Sequence, residues 1–270
     1  MIRRLADTAD DVLSGAASLL TVLVYLFMLA PIVVLVFSSF DTAPFFSFPP
    51  RGYSLHWYAA AWHSEEYRDA LRVSLILGAA ATAIAVPAGT LAAYALARFE
   101  VPGRTIIQAV LLSPLALPLI VWGIALLQVY ARIGLGGSLL GLVLAHTIIV
   151  LPFPVRIMIA SFVRIDPELE RAARTLGAPP ARAFLRVSLP LAMPGLVVSV
   201  AFAFLTSFND VVVSSFIAGA RYLTFQVRLY AQLRSEGVDP ITVAIGAALA
   251  AGIVLAAVLC ERLFGWSRHV

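Results

Sequence analysis

Six stretches of this chain are long and apolar enough to cross a bilayer, and the rest of the sequence has to be arranged around them. A transmembrane helix needs about 20 apolar residues, each adding about 1.5 Å of rise, to traverse roughly 30 Å of hydrocarbon. Runs of that kind, bounded by charge, Pro or Gly, extend from Leu19 to Phe40, Leu71 to Ala97, Thr105 to Tyr130, Ser138 to Ala160, Met193 to Phe216 and Ile241 to Phe264. Each is expected to be helical, because lipid offers the backbone no partners and the alternation of barrel strands is absent. Composition agrees: 61% of the 270 residues are hydrophobic and 13% charged, against about a quarter charged in a soluble domain. A soluble enzyme and a disordered chain are both excluded.

All 19 basic residues are arginine, and basic residues accumulate on the cytoplasmic side of short loops. With both termini inside, twelve arginines fall on inner segments and seven on outer ones. Five of the inner ones, Arg164, Arg171, Arg174, Arg182 and Arg186, share a single loop. The fold class expected is therefore an all-α membrane protein of six spans with cytoplasmic termini. Residues 1–18 form a cytoplasmic N-terminal segment leading into a retained anchor rather than a cleaved signal, 19–264 form the six-helix domain, and 265–270 form a cytoplasmic tail. The outer loop from Asp41 to Ala70 holds Tyr53, Trp57, Tyr58 and Trp62 beside Pro49 and Pro50. It reads either as an interfacial aromatic belt or as a docking surface for an external partner.

The inner loop at 161–192, SFVRIDPELERAARTLGAPPARAFLRVSLPLA, is far more polar than the rest of the chain. Asp166 followed by Pro167 has the form of a helix start, with Glu168 and Glu170 in the first turn where the helix dipole favours acids. Gly177 sits where a left-handed C-cap ends a helix, and Pro179 and Pro180 lie just beyond. The pattern predicts a short helix turning sharply into a second one that carries Arg182, Phe184 and Arg186. Such a pair suits insertion into a groove on another protein, or contact of its arginines with anionic lipid. Spacing alone leaves both open.

The loop resembles the signature of binding-protein-dependent ABC importer permeases: Glu-Ala-Ala, three residues, Gly, nine residues, Ile-x-Leu-Pro. Ala172, Ala173, Gly177, Val187, Leu189 and Pro190 fall on those positions, with Val187 in place of Ile. Arg171 occupies the Glu position, and Glu170 immediately precedes it. The stretches YSLHWYAAAW, GTLAAYALARFEVPGR, SFNDVVVSSFIAG and LYAQLRSEGVDP are similar to the second permease subunit of the spermidine/putrescine group. That group extends to phosphonates, opines and related small solutes.

The resemblance implies a MetI-like permease in a bacterial inner membrane, with a polyamine or related organic cation as the expected cargo. Its implied partners are a dimer of ATP-binding subunits, a second permease subunit forming a heterodimer, an extracytoplasmic solute-binding protein and membrane lipid, with no nucleic acid. The chain itself would bind no cofactor and catalyse nothing, ATP and Mg belonging to the partner ATPase. Coupling would run through Asp166 to Leu185, with Glu170, Arg171, Ala172, Ala173, Gly177, Ala178, Leu189 and Pro190 as the contact set. Arg171 puts in doubt any salt bridge that the family's Glu makes.

A direct search for chemistry points the same way. A GxxxxGK[ST] loop is impossible without lysine, no HExxH pair occurs among His56, His63, His146 and His269, and no G-x-S-x-G elbow is present. Polar groups inside the spans are the candidates for a solute path, because each is expensive in lipid. These are Asn209, Asp210 and His146. Asp210 would either meet a cationic solute or pair with an arginine such as Arg221 or Arg228, and His146 would bond to a neighbouring helix or act as a ligand. Pro87, Pro114, Pro118, Pro152 and Pro154 are expected to kink or break their helices. The small residues Ala244, Ala248, Gly252 and Ala256 mark a close-packing face or plain filler. Cys260 reads as a buried thiol. A self-contained secondary transporter or channel is the alternative, for which paired broken helices and buried ion-coupling residues would be the signs.

Overall fold

The computed structural model describes residues 2–235 and 237–264; the expected tail at 265–270 and the side chains of Ala256 and Cys260 lie outside the described residues. Among the described residues there are helices and loops and no strand. In chain order the helices are α1 (Ile2–Ser38), α2 (His56–His63), α3 (Glu65–Arg98), α4 (Arg104–Ala116), α5 (Leu119–Ile133), α6 (Leu139–Val150), α7 (Pro152–Arg164) and α8 (Pro167–Thr175). Then come α9 (Pro180–Ala183), a π-helical turn (Phe184–Ser188), α10 (Leu189–Leu191), α11 (Met193–Phe208), α12 (Val212–Ile217), α13 (Phe225–Ser235) and α14 (Pro240–Phe264).

Three segments are single helices long and apolar enough to span a membrane: Ala17–Ser38, Glu65–Arg98 and Leu139–Arg164, the last joining α6 to α7. The third apolar run is not one helix. It breaks between Arg104–Ala116 and Leu119–Ile133 with a bend of 105°, because Pro118 disfavours helical geometry at Leu117, which is extended at φ −101°, ψ 144°. Pro87, by contrast, lies inside an unbroken α3. Pro152 and Pro154 fall at the junction of α6 and α7, where their missing N–H groups interrupt the helical ladder without ending the span.

The fifth run also departs from expectation. Its first helix ends at Phe208 and a separate helix covers Val212–Ile217. The Asp210 carboxylate takes the amides of Val213 at 3.3 Å and Ser214 at 2.8 Å, offering the backbone a local alternative to continuing α11. Pro180–Leu191 and Met193–Phe208 likewise form a pair, bent by 76°. The sixth run is the shorter apolar stretch Pro240–Leu255 within α14.

Two compact units are present. One is built on Glu65–Ala231, with α3 packed against α6, α7 and α11. Lipid tails are as apolar as leucine, so helices in a membrane associate through close van der Waals packing. On α3 the residues that turn inward are small: Gly78, Ala81, Ala85, Gly89 and Ala93 are all buried. A Cβ on Gly89 would stand 2.8 Å from the Pro154 ring and 3.1 Å from the Val155 amide nitrogen. That close approach of α3 to α7 lets Val155, Met158 and Phe162 become fully buried.

The other unit is built on Met1–Ser64 and Gln232–Glu261. Within it a Cβ on Gly246 of α14 would stand 3.7 Å from the Leu35 side chain of α1. Ala244 is buried, but Ala248 and Gly252 are exposed, so among the described residues the small-residue face expected along the sixth span is buried at Ala244 alone. The loop after α1 folds around Asp41, whose carboxylate accepts from the amides of Ala43 (3.2 Å) and Arg51 (3.0 Å) and from the Ser47 hydroxyl. Ser39 and the Tyr58 hydroxyl meet at 2.6 Å, while Tyr53 and Trp62 remain exposed.

The Ser47 hydroxyl, joined by the Arg51, Ala43 and Thr42 amides, holds the Asp41 carboxyl below the usual aspartate range against the opposing effect of burial. A carboxyl whose folded pKa is depressed stabilises the fold above its unfolded value of about 3.9 and loses that contribution as pH falls through the folded value. Protection of the Ala43 and Arg51 amides against hydrogen exchange is therefore expected to persist at pH 5 and to collapse only below about pH 3.9. In Asp41→Ala it should be lost at neutral pH. Retained protection in that variant would show that the carboxylate does not organise the loop.

Candidate functional site

The polar loop is built from caps at both ends of α8. Asp166 accepts from the Glu168 amide at 2.9 Å, with Pro167 at the first helical position. At the other end the Gly177 amide donates to the Arg174 carbonyl at 3.0 Å and the Ala178 amide to the Ala173 carbonyl at 3.1 Å. This pair of bonds closes a helix through a left-handed residue, and Gly177 has φ +89°. A Cβ at Gly177 would meet nothing within 4 Å. The turn therefore needs glycine for its backbone, and its outer side is open.

Two neighbours on α8 face opposite ways. Arg171 points outward, its side chain 68% exposed, and pairs with Glu168, a surface contact worth about 0.5 kcal/mol. Glu170 points inward. Its Oε1 accepts from the Tyr94 hydroxyl and its Oε2 from Ser188 at 2.7 Å, and Arg98 Nε lies 3.9 Å away. The Arg98 guanidinium also donates to the Ile165 carbonyl at 2.9 Å. Ser188 reaches Glu170 from the π-helical turn, a feature that often marks functional segments; a simple second helix is what the sequence predicts there.

Of the remaining contact set, Ala172, Gly177 and Pro190 are exposed, while Ala173, Ala178 and Leu189 are half-buried. Leu176 is 90% exposed. A shallow recess of about 310 Å³ separates Ala173, Leu176 and Gly177 from Arg182, Arg186 and Val187. The loop thus presents apolar and cationic groups outward on a capped, braced frame.

The intramembrane candidates fall into two sets. His146 is fully buried, with Nδ1 2.8 Å from the Ser207 hydroxyl and Nε2 3.0 Å from the Ser214 hydroxyl and 3.7 Å from Asp210 Oδ2. It joins the last turn of α11 to α12 across the break. Asp210 pairs with neither arginine considered from the sequence. Arg228 pairs with Glu66 and lies over the Tyr67 ring, and Arg221 lies over Tyr222. The Asp210 side chain is 2% exposed, its oxygens turned to backbone amides and His146. Asn209 is exposed, and its Oδ1 accepts from Gln226 at 3.1 Å.

A family model described as "Binding-protein-dependent transport system inner membrane component" matches residues 85–266, which include the whole capped loop and the His146 and Asp210 cluster. The chain belongs to this family. Among curated proteins it is 29% identical over 217 residues to the spermidine/putrescine transport system permease protein PotC of Escherichia coli (strain K12), covering 80% of this chain and 81% of that one. It is 29% identical over 224 residues to the putrescine transport system permease protein PotI of the same strain, covering 80% and 79%. It is 34% identical over 157 residues to the trehalose transport system permease protein SugB of Mycobacterium tuberculosis (strain CDC 1551 / Oshkosh), covering 58% and 57%. Among solved structures, a bacterial ABC transporter involved in alginate import aligns with a TM-score of 0.75 at 17% identity, covering 95% of this chain and 98% of that chain. The MetNI methionine ABC transporter aligns at 0.53 and 18%, covering 75% and 91%. These two show the fold.

As an inner membrane component of a binding-protein-dependent transport system, the chain is a multi-pass transport subunit with an ABC importer permease fold. The sequence singled out the loop positions and the polar groups of the fifth span, but not the residues that hold them. Tyr94, Arg98, Ser188, Ser207 and Ser214 went unassigned. Tyr94 and Arg98 lie in a stretch carrying the family resemblance, and Ser188 is the free position of the Ile-x-Leu-Pro element, so the motif marked their neighbourhood without their roles.

Proposed function

We propose that this chain is one of two permease subunits of an ABC importer for a polyamine or related organic cation in a bacterial inner membrane. In this reading six spans cross the membrane, with residues 1–18 and 265–270 cytoplasmic. A solute-binding protein delivers cargo from outside, and a dimer of ATP-binding subunits, holding ATP and Mg, meets the loop at 166–185. ATP-driven closure of that dimer moves the loop and switches the pathway. Arg171, Ala172, Leu176 and Gly177 form the outward contact, while Asn209 and Gln226 are pathway candidates. The observation that carries the reading is a doubly capped loop with an exposed apolar and cationic face in a chain of the transport family.

The cargo rests on relatives whose names specify spermidine or putrescine and which align over 80% of the chain. A second reading, a sugar-type solute, draws support from the Asp210 carboxylate being spent on amides while the pair beside it, exposed Asn209 and half-buried Gln226, is neutral. Uptake of radiolabelled putrescine by cells with and without the gene, competed by unlabelled spermidine and by trehalose, separates the two. Loss of putrescine uptake on deletion supports the first reading; unchanged putrescine uptake with lost trehalose uptake overturns it.

A further inference from the structure

We infer that Glu170 is not a contact for the ATPase but the fastener that makes the loop and α3 one rigid lever. The inference rests on the coupling reading above and goes beyond it by naming how movement of the loop reaches the membrane. Three side chains from two other elements converge on one carboxylate: the Tyr94 hydroxyl from the last turn of α3, the Arg98 guanidinium from the end of α3, and the Ser188 hydroxyl from the π-helical turn. Arg98 clamps the same junction from its other side by donating to the carbonyl of Ile165, the residue before the Asp166 cap. The start of the Pro167–Thr175 helix is thereby tied at two points, Ile165 and Glu170, to the last turn of α3.

The surroundings make this more than a surface ion pair. The Glu170 and Arg98 side chains are only 14% and 11% exposed, and Ser188 is fully buried. The Tyr94 ring is enclosed by Phe184 at 4.5 Å, Phe162 at 5.5 Å and Phe99 at 5.8 Å between centroids. A charge at such a site is held by its partners, and removing it leaves the Tyr94 and Ser188 hydroxyls without their acceptor and the Arg98 charge without its nearby carboxylate. The next residue, Arg171, faces the opposite way, exposed and paired only at the surface with Glu168. Two consecutive residues of one helix thus divide two tasks: Glu170 binds the loop to the membrane domain, and Arg171 faces out.

The test is a distance measurement in the complete complex, with spin labels at Leu91→Cys on the exposed side of α3 and Arg174→Cys on α8, in a Cys260→Ser background. A lever requires the same narrow distance distribution without nucleotide and with ATP trapped by vanadate. Glu170→Ala should broaden it severalfold, and Glu170→Gln, which keeps one carbonyl acceptor and offers an N–H₂ that the other hydroxyl can accept, should restore it. Reduced folding alone would lower the yield of all labelled variants without this rescue. A distance that shifts by several ångströms on trapping, or an unchanged distribution in Glu170→Ala, overturns the proposal. The coupling reading fails separately, by absence of the ATP-binding subunits from the purified complex, and in that case the same distribution is still read on this chain and still decides whether Glu170 fastens the loop.

Discussion

Gly177→Asp is expected to abolish transport while the chain still inserts into the membrane. The reason is conformational and electrostatic at once. Gly177 holds φ +89° at the turn closing α8, a geometry that opposes an L side chain by about 1–2 kcal/mol. No neighbouring atom lies within 4 Å of where a Cβ would stand, so crowding inside the chain contributes nothing. Gly177→Ala, which carries only the backbone penalty, should therefore disfavour the native turn by roughly five- to thirtyfold and weaken uptake without abolishing it. Gly177→Asn should be milder, because asparagine tolerates the left-handed region better. Asp adds a carboxylate on the open side of the turn, where an incoming partner surface has to close. The series Asn, Ala, Asp, read as uptake at equal membrane levels of the chain, checks the ordering. Equal uptake by all three would remove Gly177 from the mechanism.

Asp210→Ala should destabilise the chain by about 3 kcal/mol, an effect of the size seen when a buried, hydrogen-bonded charge is deleted. Two amides, Val213 and Ser214, lose their acceptor, and His146 loses the nearby carboxylate. Asp210→Asn keeps one carbonyl oxygen but turns an amide N–H₂ toward groups that themselves donate, at a penalty of about 1–3 kcal/mol. Both variants are expected to lower the melting temperature of the purified chain and to reduce uptake of every transported solute in proportion. A variant of normal stability that loses affinity for a cationic solute alone would restore Asp210 as a solute contact.

The apolar runs were legible because lipid imposes a length and a composition that few other environments share. Their continuity was less so. Pro118 broke its helix where Pro87 did not, and the difference lies in context: α3 is supported along its length by α6, α7 and α11, while Leu117 adopts the extended geometry that a following proline favours. The break after Phe208 depends on Asp210 turning back onto amides three and four residues ahead, and the sequence equally allowed a partner elsewhere. Conversely, the small residues that pack helices proved to be those of α3, including Gly89 and Ala93, more than the run in the sixth span. An alternation of small residues marks a face without saying which helix it meets.

For the candidate site, the caps of α8 follow directly from Asp166, Pro167 and Gly177, since each residue type answers a local backbone need. The opposed directions of Glu170 and Arg171 do not follow locally. They depend on Tyr94, which is 76 residues from Glu170 in the chain, and on a π-helical turn that rotates Ser188 inward. His146 and Asp210 were each visible as costly polar groups in apolar surroundings. Their meeting across a helix break, with Ser207 and Ser214 supplying the hydroxyls, is a long-range fact that only the fold provides.

Purification of the affinity-tagged chain from its native membrane in mild detergent, followed by mass spectrometry of what accompanies it, tests the account most directly. An ATP-binding subunit and a second permease should be recovered with the native chain, and the ATP-binding subunit should be lost from Gly177→Asp. Recovery of the chain alone, under conditions that keep other such complexes intact, would contradict the importer reading and favour a self-contained transporter.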